Sequence, residues 1–232
     1  MARDTPLGFP AHTLPYRCGE FTTLSTASPV PFRLALNGSF RAFSFGGNSM
    51  NDVESMRLAL ALAERGRGWT APNPMVGAVI VKDGAVIGQG WHERYGEPHA
   101  ERNALASCTA DPAGATMYVT LEPCCHHGKQ PPCVDAILAS GIRRVVIGSA
   151  DPNPLVAGKG VAILRSHGVE VTENVLREEC DALNRIFFHY ITTGRPFVSM
   201  KYAMTMDGKI AAFTGASKWV TGETARRHVQ QQ

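Results

Sequence analysis

The sequence predicts a three-layer α/β/α domain built on a mixed sheet. Two observations carry this prediction: a β-hairpin comes first, and strands then alternate with helices. Residues 76–82 have the apolar run of a buried strand, Asp83-Gly84 has the composition of a tight hairpin turn, and residues 85–91 form the partner strand. The domain is predicted to span about residues 50–172.

The first helix precedes the hairpin. Apolar residues recur at helical spacing from Val53 to Ala63, Asn51 or Asp52 provides an N-cap, and Gly66 ends the helix. Later segments are assigned by the same periodicities and by glycines at helix ends. They are a helix at 99–108, a strand at 116–120, a helix at 132–140 closed by Gly141, a strand at 143–148, a helix at 160–167 closed by Gly168, a strand at 169–172 and a helix at 176–191.

The ends of the chain differ from this regular part. Residues 1–49 contain no Lys, few acids and no amphipathic period, so they are predicted to be disordered or a non-native leader. Translation starting near Met50 explains them, and a transit peptide is the alternative. Residues 173–195 are interpreted as a connecting helix and linker. Residues 196–232, with a predicted strand at 197–204, are interpreted as the start of a second domain that is cut off.

Composition excludes several classes of function. The formal net charge of the 232-residue chain is +3, which does not indicate a nucleic-acid partner, and no apolar run reaches the length of a membrane span. Three of the 6 cysteines lie within residues 124–133 beside two histidines, a spacing that is unusual for disulfides. A cytoplasmic protein is therefore expected.

A metal site is predicted from the sequence His99-Ala100-Glu101 and two later Pro-Cys units, which contain Cys124 and Cys133. One imidazole and two thiolates suit a catalytic zinc ion, which keeps a fourth position for water. Glu101 then serves as a proton shuttle and not as a ligand, in the order that zinc deaminases use. The sequence therefore predicts hydrolytic deamination.

The gap between the two cysteines departs from the Cys-x-x-Cys of the general zinc-deaminase signature. The inserted residues 125–132 include Cys125, His126 and His127, which are alternative ligands. A closed four-ligand zinc site without catalysis is the structural alternative, although it leaves Glu101 without a role.

The chain resembles the bifunctional diaminohydroxyphosphoribosylaminopyrimidine deaminase and aminophosphoribosylaminouracil reductase family of riboflavin synthesis, from about Met56 to its end. The long cysteine gap is the form that this family uses. The segments that carry the resemblance are residues 71–77, 96–101, 121–124, 132–133, 151–154, 158–160, 206–209 and 217–220.

The resemblance implies a cytidine-deaminase-like fold, followed by the start of a dihydrofolate-reductase-like α/β domain. It also implies zinc at His99, Cys124 and Cys133, Glu101 as catalytic residue, and a phosphoribosylated pyrimidine as substrate. A homo-oligomer is expected on the same ground. Polar residues that would contact the substrate are Asn73, Lys129, Asp151 and Asn153, whereas His92 is more simply a structural residue.

In the second half, the resemblance implies an NADPH-dependent reductase. Ala203 and Trp219 match its cofactor pocket and Ser217 matches a substrate contact, with Lys201 and Asp207 as further candidates. This chain is nevertheless expected not to catalyse hydride transfer. The alternative functions are a nucleoside or tRNA deaminase and a zinc-stabilised binding module.

Overall fold

The strands form one mixed sheet in the order β2-β1-β3-β4-β5. The computed structural model describes residues 50–230, so the predicted leader at 1–49 lies outside the described residues. β1 pairs antiparallel with β2 and β3, while β4 pairs parallel with β3 and β5. The predicted fold class is confirmed. The strands are β1 (Gly77–Lys82), β2 (Ala85–Trp91), β3 (Thr116–Leu121), β4 (Arg144–Ser149) and β5 (Glu170–Thr172).

Helix ends follow the capping signals in the sequence. Asn51 caps α1 through a capping box with Glu54, and Gly141 and Gly168 adopt positive φ just after two other helices. The helices are α1 (Asp52–Ala63), α2 (Ala100–Ala106), α3 (Cys133–Ala139), α4 (Lys159–Ser166), α5 (Arg177–Leu183), α6 (Arg185–Thr193) and α7 (Glu223–Gln230). None of the helices in residues 50–230 has both the length and the apolar composition that a membrane crossing needs.

The sheet is buried on both faces, which makes the domain three-layered. Alternate residues of a strand point to opposite faces, so Ile80 packs with α2, α3 and α4, whereas Val79 packs with α1 and α5. The same alternation sends Val145 and Val146 of β4 to opposite faces. Helices on both faces bring the N-termini of α2 and α3 to one side of the sheet, where the predicted metal ligands lie.

Two predicted elements differ from the structure. The predicted helix at 176–191 is two helices, because Asn184 leaves helical geometry with φ −107° and its side chain bonds the backbone of Met75. The predicted strand at 197–204 is wrong, since no strand is present there. A strand needs a partner, and Val198 and Met200 are more than four-fifths exposed (84% and 82%).

Asp52 fastens α1 to the sheet. Its carboxylate accepts hydrogen bonds from Arg144 Nη1 and Nη2 (2.9 and 2.7 Å) and from the Tyr118 hydroxyl (3.0 Å). The hydrogen bond from Arg144 holds the pKa of Asp52 below its usual value. The charged form is therefore favoured by folding, and its stabilisation is present above the unfolded pKa of about 3.9 and is lost as the pH falls through the folded pKa.

We expect Asp52→Asn to lower the free energy of unfolding at pH 7 by roughly 1 kcal/mol, since the ion pair is partly exposed. The gap to wild type should narrow as the pH falls from 5 towards 3, because the wild-type carboxylate is then protonated too. Urea unfolding across this range measures it. Asp83→Asn, in the exposed hairpin turn, is the matched control. A gap that stays constant in acid would contradict the role given to Asp52.

Candidate metal centre

His99, Cys124 and Cys133 come together at one side of the sheet and form what we call the metal group. His99 is the N-cap of α2, Cys133 is the first residue of α3, and Cys124 lies in the loop after β3. Their candidate ligand atoms all lie within 4.8 Å of one another. His99 Nδ1 is 3.5 Å from Cys124 Sγ and 3.4 Å from Cys133 Sγ, so one nitrogen faces two sulfurs.

The electrostatics of the metal group favour a thiolate. The pKa of the Cys124 thiol is lowered to about 4, first by the hydrogen bond from Cys133 and also by His99. The pKa of His99 is raised, chiefly by its hydrogen bond with Cys124. Metal ligands must be deprotonated cysteines and neutral histidines, and one nitrogen with two sulfurs is a donor set that zinc prefers. The residues present therefore fit a zinc ion.

Glu101 lies in the first turn of α2 and is only 3% exposed. Burial raises its pKa to about 7. A carboxyl group with a pKa near the working pH can both accept and return a proton, which is what a general acid–base catalyst must do. Glu101 also lines the cavity beside the metal group, so its carboxyl group faces the space that a ligand would enter.

A cavity of about 270 Å³ opens over the metal group. Its walls combine apolar side chains, among them Val76, Leu121 and Phe187, with polar groups on several loops. The polar side chains of the lining are Asn73, His92, Tyr95, Glu97, His99, Glu101, Glu122, Cys124, His126, Lys129, Gln130, Asp151 and Asn153.

Two family models match this chain. Residues 49–149 match the cytidine and deoxycytidylate deaminase zinc-binding region, which contains the whole metal group. Residues 196–232 match the RibD C-terminal domain. The domain that surrounds the cavity is therefore a zinc-binding deaminase domain.

Relatives with both segments carry one name. The riboflavin biosynthesis protein RibD of Actinobacillus pleuropneumoniae is 63% identical over 183 residues, which cover 79% of this chain and 49% of the relative. RibD of Escherichia coli is 49% identical over 181 residues, with coverage of 78% and 49%. The chain belongs to the RibD family. It spans about half the length of the RibD proteins it matches.

A solved structure agrees with this membership. The diaminohydroxyphosphoribosylaminopyrimidine deaminase/5-amino-6-(5-phosphoribosylamino)uracil reductase of Thermotoga maritima superposes with a TM-score of 0.74 at 51% identity. The match covers 78% of this chain and 52% of that one.

Four residues predicted to contact substrate line the cavity of this RibD-family chain: Asn73, Lys129, Asp151 and Asn153. The Lys129 ammonium lies 4.1 Å from the centre of the Tyr95 ring, which holds the cation beside the cavity mouth. Burial raises the pKa of Asp151 to about 6. Their contacts with a substrate stay predictions.

Other predicted site residues lie outside the cavity. Ala203, Ser217 and Trp219 are exposed in the segment 196–230, where Arg226 packs over the Trp219 ring. Two further candidates make local contacts in the same segment. Lys201 Nζ donates to Val229 O (3.4 Å), and Thr205 Oγ1 donates to Asp207 Oδ1 (2.5 Å).

The alternative ligands lie apart from the metal group. Cys125 Sγ points to the Leu155 carbonyl oxygen at 3.8 Å, and His127 is exposed. His126 lines the cavity, but it is not part of the metal group.

His92 has a larger part in the cavity than the sequence indicated. It is 2% exposed, and its Nδ1 is 3.1 Å from the Pro98 carbonyl oxygen, so Nδ1 carries the proton. Nε2 then accepts a hydrogen bond from Asn73 Nδ2 at 3.2 Å. Burial lowers the pKa of His92, which keeps the ring neutral. The orientation of Asn73 towards the cavity therefore depends on His92.

Replacing His92 with Phe keeps the ring and removes both hydrogen bonds. We expect a loss of about 1–3 kcal/mol in the free energy of unfolding, because buried polar partners lose their bonds. KM should also rise, because Asn73 is no longer oriented. Urea unfolding and steady-state kinetics measure the two effects. His167→Phe, at the exposed end of α4, is the control, and equal behaviour of both variants would refute the role of His92.

Glu122, Gln130 and Phe187 also line the cavity, and sequence reasoning missed all three. Gln130 Nε2 donates to the Gly96 carbonyl oxygen (2.8 Å) and so ties together two loops at the mouth. Phe187 comes from α6, which the sequence assigned to a linker. The apolar spacing of α6 was the available signal, but it does not reveal which surface the helix covers.

Proposed function

We propose that this chain catalyses the zinc-dependent hydrolytic deamination of diaminohydroxyphosphoribosylaminopyrimidine, a step of riboflavin biosynthesis. The observation that carries the proposal is the buried Glu101 carboxyl group beside the metal group, at the base of the cavity. A purely structural zinc site has no use for a buried carboxyl group with a pKa of about 7.

His99, Cys124 and Cys133 would hold zinc, which lowers the pKa of a bound water to about 7 and so supplies hydroxide. Glu101 takes the proton of the attacking water and passes it to a ring nitrogen, and a further proton goes to the departing amine. The ring carbon loses its exocyclic C–N bond and gains a C–O bond, so water is consumed and ammonia is released.

The polar walls of the cavity support a substrate with a pyrimidine ring and a phosphate. Amide and carboxyl groups of Asn73, Asp151 and Asn153 would pair with the ring edge and its amino groups. Lys129 would pair with the phosphate, since a phosphate oxygen accepts strong hydrogen bonds from ammonium groups. We assign this chemistry to the cytoplasm.

The C-terminal segment supports a second, coarser proposal. Its match to the RibD C-terminal domain suggests the beginning of a reductase that uses NADPH, with Ala203 and Trp219 at the cofactor and Ser217 at the substrate. This proposal is tested by NADPH oxidation in the presence of the deaminated pyrimidine. We expect no oxidation by the chain as it stands, and measurable oxidation would overturn that expectation.

Ammonia release tests the main proposal. Zinc-loaded protein should release one ammonia per molecule of the phosphoribosylated pyrimidine, and much less from cytidine or from a tRNA anticodon stem. Release from cytidine alone would overturn the substrate assignment in favour of a nucleoside deaminase. Zinc binding without ammonia from any of the three would favour a binding module.

A further inference from the structure

Glu122 is a buried acid that the proposed chemistry does not use. It follows β3, two residues before Cys124, and is 4% exposed. Its backbone N–H donates to the Ser149 carbonyl oxygen (2.9 Å), which places Glu122 beside the end of β4. A buried carboxylate is costly unless several donors satisfy it, so its partners indicate what it does.

The partners of the Glu122 carboxylate are three backbone N–H groups. Gly158 N and Asp151 N donate to Oε2 (3.0 and 3.5 Å), and Val161 N donates to Oε1 (3.3 Å). These donors stand at the two ends of the loop that connects β4 to α4. One side chain from the neighbouring strand therefore holds both ends of this loop.

The start of α4 is fitted closely to Glu122. Its N-cap, Gly158, has no side chain to cap the helix, and the carboxylate takes over that role for the first free N–H groups. A Cβ atom at Gly160 would lie 2.3 Å from the Pro123 carbonyl oxygen and 3.2 Å from Glu122 Oε1. Only glycine lets the helix approach so near, so a side chain here would force α4 away.

The loop that Glu122 holds carries Asp151 and Asn153, both in the cavity wall. Asp151 Oδ1 accepts a hydrogen bond from Asn153 N (2.8 Å), so the two residues are ordered together. We propose that Glu122 is a positioning residue whose carboxylate fixes the β4–α4 loop and thereby directs Asp151 and Asn153 at the substrate. This inference rests on the proposed function.

Glu122→Gln tests the inference, because an amide keeps the size of the side chain but has only one acceptor oxygen. We expect KM for the phosphoribosylated pyrimidine to rise about tenfold, as misplaced substrate contacts do, with kcat changed less than about threefold. Zinc content should stay at the wild-type level. A fall in zinc content would overturn the proposal, since Glu122 would then act through Cys124.

Two further variants separate positioning from stability. Leu164→Ala, at a fully buried position of α4, should lower Tm and leave KM unchanged. Gly160→Ala should raise KM as Glu122→Gln does, although Glu122 itself is intact, and it serves where Glu122→Gln fails to fold. Equal KM values in Leu164→Ala and Glu122→Gln would show that Glu122 contributes stability alone.

Hydrogen exchange of residues 151–161 provides a measurement without substrate. The amides of Asp151, Gly158 and Val161 should exchange faster in Glu122→Gln, whereas the amides of β1 stay protected. Unchanged exchange would overturn the proposal. If the wild-type protein released no ammonia from any pyrimidine, the proposed function would fail, while the exchange rates would still decide whether Glu122 holds the loop.

Discussion

Glu101→Gln is expected to lower kcat for ammonia release by about 10²- to 10⁴-fold, the range that general acid–base catalysis contributes. Glutamine fills the same buried space at the start of α2 but cannot accept and return a proton. His99, Cys124 and Cys133 are unchanged, so the zinc content should match that of wild type. Steady-state ammonia release and zinc analysis of the same sample measure both quantities.

Glu64→Gln is the matched control for this experiment. Glu64 lies on the surface, where it pairs with Arg67, and we expect its replacement to leave kcat unchanged. Full activity of Glu101→Gln would refute the assigned role. Loss of zinc together with activity would show that Glu101 acts on the metal group instead of on the proton.

Cys133→Ser is expected to weaken zinc binding by more than about 100-fold, which is the upper end of what loss of an outer partner costs. A hydroxyl group does not ionise near neutral pH, so the third ligand is lost. Cys125→Ser should bind zinc as wild type does, because Cys125 Sγ points to Leu155 O and not to the metal group. Titration with a competing chelator measures both affinities.

This pair of variants decides between the ligand sets that the sequence left open. Weaker zinc binding in Cys125→Ser, with Cys133→Ser unaffected, would assign the site to Cys125 and reject the metal group. Equal weakening in both would indicate a closed four-ligand site. Activity should follow zinc content in each variant, and added zinc should restore part of it in Cys133→Ser.

Much of the fold could be predicted because the signals are local. Asp83 and Gly84 adopt positive φ in the hairpin turn, and Gly141 does so after α3, conformations that these residue types favour. The β1–β2 hairpin and the helices that follow therefore stand close to their predicted positions. The sequence could not reveal the break at Asn184, because its cause is a pair of bonds to a residue 109 positions away.

The site was predicted unevenly for a similar reason. Residues that carry the chemistry have distinctive types and spacing, as in His99-Ala100-Glu101. Residues that orient them have ordinary types and act through contacts that only the fold creates, such as the bond from Asn73 to His92. Lys129 lies between these cases, since its charge was noticed but its contact with Tyr95 was not.

The Asn184 side chain has a consequence for exchanging parts between proteins. Its Oδ1 accepts from Met75 N and its Nδ2 donates to Met75 O, both at 2.8 Å, and Phe187 adds to the cavity wall one helical turn later. A chimera joined at Thr172 would bring a foreign helix pair to the loop that carries Asn73. Its seam belongs after Thr193, where α6 ends, so that donor and recipient trade whole recognition surfaces.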